Sequence, residues 1–335
     1  MTHPFPWSWL WRLLGTVAGL WVLIYTWQLW LLVLSALILT ASLLPAAQWG
    51  ERWRIPPLLT VIAIYLAAAL IISVLGRFLV PVLVKEGGEL ARQLPALVAN
   101  LRDWLGDQTA IGVPQFDVES LAQIGPALIE QTFRAAGGVL GGVLGLLLIL
   151  FLTAYMVADA ERIGHGLLAL VPTDTRPKVK AIAGLTLQRM GGYVRGQILA
   201  SCCVGLILAL GLWFLGVPYA LLIGGLGAAL NVIPFLGSTL ASVIGILVAL
   251  NISFLLAIWT SLLFCGTYFV EGKLLVPQLV GRATGLHPLA VMLVILAGAK
   301  LGGLLGALVA VPLLAGAWEI IKALWVVPMN TTVSE

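Results

Sequence analysis

The stretch LNVIPFLGS, Leu230 to Ser238, decides how this chain is read. It lies in a run from Gly196 to Val270 that holds no Asp, Glu, Lys or Arg, so its surroundings suit lipid. Asn231 and Pro234 interrupt an apolar arm that begins at Pro218. Thirteen residues separate Pro218 from Asn231, about 20 Å of helix and too short to cross a bilayer. Proline removes a backbone donor and clashes with the turn before it. A second short arm follows over Thr239–Leu250. Irregular backbone at membrane depth persists only inside protein or beside a watery cavity. The spacing therefore predicts a re-entrant hairpin with its tip at the Asn-Pro-Gly break. A kinked continuous span of about 30 residues is the alternative that fits the same pattern.

The layout recurs downstream. Glu271 and Lys273 end a further span, Pro288 opens another arm, and Lys300 follows twelve residues later, before KLGGLLG. In both copies a Gly stands six residues beyond the polar residue: Gly237 after Asn231, and Gly306 after Lys300. If each hairpin returns to its starting side, the two open towards opposite faces as an inverted repeat. Paired segments interrupted by Gly or Pro in such a repeat point to a transporter's binding site. The substrate-binding candidates are thus Asn231, Pro234, Phe235, Gly237 and Ser238 at one tip, and Lys300, Gly302, Gly303 and Gly306 at the other. The tips, Ser238 and Gly303, are expected to lie near each other around mid-membrane. Glu271 joins the set because ionisable groups in lipid are costly and mark pairs or pathways; Lys300 or a cation is its expected partner. Arg195 and Gln197 begin a span and are gating candidates. His287, just before Pro288, reads as a cap or an interfacial residue, and Glu319 as a surface residue or part of a polar inter-helix pair.

Composition sets the class. Of 335 residues, 61% are hydrophobic and 10% charged, where a water-soluble chain carries about a quarter charged. The mean hydropathy is +1.08. This is an all-α polytopic membrane protein with about eight transmembrane segments. Leu13–Gly50 is uncharged for 38 residues, about 57 Å as one helix, so a tight hairpin turning near Tyr25–Trp30 is expected. A third span ends near Arg77. From Pro81 to Gly137 a small extracytoplasmic helical domain is expected, with helical faces at Leu94, Leu97, Leu101, Trp104 and Leu105 and again at Leu121, Ile124 and Leu128.

Charge sets the topology. Arg77–Gly137 holds five basic and seven acidic residues, whereas Ala158–Arg195 holds six and three. Basic loops stay cytoplasmic, which puts both termini inside. The expected units are 1–80, 81–137, a span over 138–160, a basic cytoplasmic loop with a surface helix over 161–195, the transport core over 196–327, and a tail over 328–335.

Other classes find little support. The net charge of +4 sits in short loops and sets topology, so no nucleic-acid partner is expected. Cys202, Cys203 and Cys265 lie in apolar runs without CxxC or metal spacing and read as small apolar filler. There is no GxxxxGK[ST], no HExxH and no GxSxG, so neither an enzyme nor a cofactor or metal site is expected. A secondary transporter acting on a small molecule or ion is the leading reading, and a channel or oligomeric scaffold is the rival.

Five motifs in series carry a resemblance along the whole chain. They are YVRGQILAS (Tyr193–Ser201), LGVPYALLIG (Leu215–Gly224), NVIPFLG, EGKLLVPQLVGRATGLHPLAV (Glu271–Val291) and AGAKLGGLLGALVAVPLLA (Ala297–Ala315). The chain resembles the autoinducer-2 exporter family, the PerM-like permeases of bacteria. That resemblance implies a multi-pass inner-membrane protein, usually of eight segments, and a homo-oligomer. It also implies export of a quorum-sensing furanone or, in other members, sodium–proton exchange. Relatives often carry Asp or Glu at the Asn231 position and a basic residue at that of Gln278. Asn cannot titrate, so proton coupling at position 231 itself is not expected.

Overall fold

The computed structural model describes residues 7–108, 139–234, 236–280 and 287–326. These residues form helices with no strand among them. Helix α1 is Trp7–Tyr25, α2 Trp27–Arg52, α3 Pro57–Gln108, α4 Val139–Ala158 and α5 Ala160–Ala169. A short 3-10 turn, Thr173–Thr175, leads into α6, Arg176–Phe214. Then come α7 (Ala220–Leu230), α8 (Leu236–Leu250) and α9 (Phe254–Val270), which continues as a wider π-helical stretch, Glu271–Val280. The last long element, α10, runs over Pro288–Ile321 and ends in a π-helical turn, Lys322–Val326. Five helical stretches are long and apolar enough to cross a membrane, and a sixth if α4 and α5, bent by 76°, form one span.

Helix α6 is the axis of the molecule. Its Val204, Leu208 and Leu212 are fully buried, and α7 and α8 pack on them through Leu222, Ile223, Ala241 and Val248. The approach is close because the contacts are small. A Cβ on Gly224 would lie 2.6 Å from that of Ala209, and Gly205 faces Ala228 in the same way. Without a hydrophobic drive in lipid, such small-residue contacts are what hold helices together. The turn from α6 to α7 is a Schellman motif: Val217 N–H donates to Leu212 O (2.9 Å), Gly216 N–H to Trp213 O (3.0 Å), and Gly216 takes φ +73°.

The chain then turns back on itself. Gly227 of α7 faces Ala241 of α8, and Ile223 faces Gly245. That pairing runs antiparallel about the Asn231–Pro234 break, so the two arms form a helical hairpin and not a kinked continuous helix. Ser253 in extended backbone caps α9 by accepting from Leu256 N–H at 3.1 Å. The expected break in α10 is also present. Gly302 (φ −127°, ψ 16°) and Gly303 (φ 58°, ψ −143°) leave helical geometry, Gly303 in a region open to glycine. Beyond them Gly306 returns against Gly298, and Ala310 lies 2.9 Å from where a Gly298 Cβ would sit. In a straight helix residues 298 and 310 would be about 18 Å apart.

Three boundaries differ from expectation. Thr26 breaks α1 from α2 within the expected Tyr25–Trp30 stretch, yet α1 contacts α2 only around that junction and does not fold back along it. Second, α3 passes through Pro81 without a break to Gln108, and Leu83, Gly87 and Leu90 pack on the α7–α8 hairpin. Positions 94–105 lie within α3, while Leu121, Ile124 and Leu128 lie outside the described residues. Third, α6 begins at Arg176, some twenty residues before the apolar run, so much of the basic loop is the first half of the central helix.

Candidate functional site

Helix interruptions leave backbone carbonyls in need of donors, and two α6 side chains supply them. In α2, Pro45 has no N–H for the carbonyl of Ala41, four residues back. Arg195 Nη1 donates there at 3.4 Å and to Ser42 O at 2.6 Å, and Gly191, with no side chain, lets α6 lie against Ala41 O. At the hairpin break, α7 ends at Leu230 with Asn231 as its C-cap, which leaves the Asn231 carbonyl beyond the helix. Gln197 Nε2 donates to it at 2.7 Å. The two gating candidates thus hold different elements from the same turn: Arg195 the α2 kink, Gln197 the first tip.

The tip continues into a buried polar chain. Asn231 is fully buried, and its Nδ2 donates to Glu271 Oε1 at 2.7 Å. Glu271, itself 8% exposed, begins the π-helical stretch of α9, a widened turn of the kind that recurs at functional sites. Gly237 lies against the Asn231 backbone and Gly227 O, where a Cβ would not fit. Four buried oxygens around this region have no hydrogen-bond partner among the described residues: Asn231 Oδ1, Ser238 Oγ, Ser201 Oγ and Tyr193 OH. Tyr193, Gln197 and Ser201 stand one turn apart on one face of α6. Tyr193 packs between Val276 of the π-helical stretch and Val291, Val294 and Val311 of α10, so this face touches both broken regions.

Of the residues singled out from the sequence, Gln197, Asn231, Gly237 and Glu271 are brought together, with Ser238 buried beside Gly237. Pro234 is at the break, and Phe235 lies outside the described residues. The second tip stands apart. Gly302 rests on Leu31 and Trp27 of α2, and a Cβ on Gly303 would meet no atom within 4 Å, Ser238 included. Gly306 serves the close return against Gly298. Lys300 is exposed and forms no ion pair with Glu271, and Lys273 is exposed as well. His287 is the cap of α10, its Nδ1 accepting from Leu289 N–H at 3.2 Å. Glu319 pairs with Arg189 (3.4 Å) and Lys322 (3.3 Å).

Other contributors were not foreseen. Glu86 of α3 accepts from Leu222 N–H at 2.9 Å and so caps α7, whose own N-cap Tyr219 offers no side-chain bond. Tyr193 and Ser201 were visible only as polar residues at i and i+8 on an apolar helix. Among the described residues no group of three or more His, Cys, Asp or Glu could hold a metal, and the three cysteines are unpaired.

Comparison with known proteins agrees with this architecture. The family described as "AI-2E family transporter" matches residues 10–325. The chain is 28% identical over 304 residues to "Putative transport protein YrrI" of Bacillus subtilis (strain 168), covering 87% of this chain and 85% of the relative. A Mycobacterium tuberculosis relative, also named a "Putative transport protein", is 28% identical over 322 residues, covering 92% and 87%. YueF of Bacillus subtilis, with the same wording, is 24% identical over 81% of this chain and 77% of its own length. A match over nearly the whole chain, on a helical membrane protein with a polar break beside its central helix, means that the chain belongs to the AI-2E transporter family.

Proposed function

We propose that this protein is a secondary transporter that exports a small polar molecule, of the class of the autoinducer-2 furanone, across the bacterial inner membrane. The observation that carries the reading is the Gln197–Asn231–Glu271 chain at a hairpin break, with unpartnered buried oxygens around it. Buried polar groups are normally satisfied, and those left over at a functional site are where a ligand's own groups can bind. A polyhydroxylated solute supplies both donors and acceptors. In this reading the α7–α8 hairpin and the break in α10 are the re-entrant elements of the transport core over 196–327. Both termini lie in the cytoplasm and the segment after α3 lies outside. The apolar faces of α1 and α3, exposed in one chain, suit lipid and a homo-oligomer.

Solute counterflow in proteoliposomes tests this. A transporter loaded with unlabelled furanone accelerates entry of labelled furanone and saturates, and Asn231→Ala abolishes the effect. Linear, non-saturating flux without counterflow would make the protein a pore, and no flux of any tested solute would favour the scaffold reading.

A further inference from the structure

As helix α6 passes the first tip it presents one residue of distinct chemistry per turn: Arg189, Tyr193, Gln197 and Ser201. The Arg189 end is the wet one. That side chain is 40% exposed and pairs with Glu319 of α10 at 3.4 Å, beside the partly exposed Lys322. Gln197 holds the tip and Ser201 lies a turn beyond it, both buried. Tyr193 stands between the ion pair and the tip and is 6% exposed. Its ring sits in a collar of valines, Val276 of the π-helical stretch and Val291, Val294 and Val311 of α10. Yet its hydroxyl has no partner among the described residues, and neither has that of Ser201. Phenylalanine would fill such a collar without an unpaired buried hydroxyl, so the oxygen of Tyr193 calls for a use outside this conformation.

We propose that Tyr193 closes the solute's path at the Arg189 end: its ring blocks the way from that end to the tip, and its hydroxyl binds the solute once the ring turns aside. The collar supports the first half. Valine side chains are short and form no hydrogen bond, so they hold the ring by shape and release it without breaking a polar contact. They also come from segments that adjoin both breaks. Val276 follows Glu271, which is bonded to the first tip, while Val291 and Val294 precede the Gly302–Gly303 break and Val311 follows it. Movement of either broken segment therefore reshapes the collar and frees or traps the ring. Spacing supports the second half. Tyr193, Gln197 and Ser201 follow one another at about 6 Å of helical rise, within reach of a small solute that carries several hydroxyl or carbonyl groups. Such a ladder passes a polar solute along without leaving its groups bare in apolar surroundings. This inference rests on reading the first tip as the solute's path and adds to it the gate and the next contact.

The test uses the full-length protein without Cys202, Cys203 and Cys265, reconstituted in vesicles, with Ser201→Cys as reporter. A membrane-impermeant thiol reagent is added from one side at a time, without solute, and the exposed Lys180→Cys marks the side on which the Arg189 end lies. With Tyr193 intact the Ser201 position is expected to stay unlabelled. Tyr193→Ala exposes it to the reagent from the marked side only, while Leu208→Cys, fully buried on the same helix, stays unlabelled. Should Tyr193→Ala not fold, Val311→Ala thins the same collar from α10 and is expected to open the same side. Tyr193→Phe keeps the ring, leaves the Ser201 position closed, and raises the half-saturating concentration of the furanone in counterflow severalfold, the order of one lost hydrogen bond. A Ser201 position that stays closed in both collar variants, or that opens from the opposite side, overturns the gate. Labelling of the Leu208 position as well means a loosened fold and also overturns it. An unchanged half-saturation in Tyr193→Phe overturns the hydroxyl's part. Opening by Tyr193→Ala in a protein without counterflow would sink the transport reading and leave the closure standing; counterflow with no opening would do the reverse.

Discussion

At the scale of single residues, the site is built from backbone carbonyls at helix interruptions, answered by side chains of α6. Pro45 leaves Ala41 O unpaired, and Arg195 answers it. Removing one partner of a buried hydrogen bond costs about 1–3 kcal/mol, so Arg195→Met is expected to lower stability by that order. Pro45→Ala restores a backbone donor for Ala41 O, and in the Arg195→Met background it should recover part of the loss. Unfolding of the four proteins of this cycle checks it; purely additive effects would mean that Arg195 does something else. Asn231→Ala strips Glu271 of its donor and is expected to cost a similar 1–3 kcal/mol. Lys300→Met, at an exposed side chain, should leave folded yield unchanged. If it lowers yield and activity together, Lys300 has a partner that this conformation does not display. None of these pairings could be read along the chain. Gln197, Asn231 and Glu271 each stand out as polar residues in apolar runs, but 34 and 40 positions separate the bonded pairs, and only packing on α6 brings them together.

At the scale of elements, the breaks were the legible part. Pro234 and the Gly302–Gly303 pair forbid or release helical geometry locally, and local rules are what a sequence displays directly. Helix ends in water were less legible. Apolar runs mark the lipid, not the helix, so α6 extends back to Arg176 through Lys178, Lys180 and Arg189, charged residues with good helix propensity. Likewise α3 absorbs Pro81 and reaches Gln108, because packing of Leu83 and Leu90 on the hairpin outweighs the lost bond. The hairpin itself has a direct test. In a background lacking Cys202, Cys203 and Cys265, Gly227→Cys with Ala241→Cys should form a disulfide on mild oxidation. An ideal Cβ at 227 lies 3.5 Å from that of Ala241, within bridging range. As one continuous helix the two positions would be about 21 Å apart and could not join. A mobility shift on a non-reducing gel reads the outcome.

At the scale of the whole molecule, the long helix α6 carries the first hairpin on its second half and α10 on its first half, with α2 held between by Arg195 and Gly191. The orientation of this assembly follows from loop charge. A reporter active only in the periplasm should give signal when fused after Gly112 and none when fused after Pro177; the reverse pattern would invert the topology. The central claim is that solute reaches the first tip. Ser238 is 1% exposed, so this conformation keeps the tip closed, and transport must open it. The most direct measurement is alkylation of a single cysteine at Ser238, in the cysteine-free background, by a membrane-impermeant thiol reagent. Vesicles of both orientations are compared with and without transported solute, and Val248→Cys in the packed core serves as the control. The account predicts that the Ser238 position is labelled during transport and protected by saturating solute, while position 248 stays unlabelled. A Ser238 position that remains unlabelled from both sides while transport proceeds would contradict it.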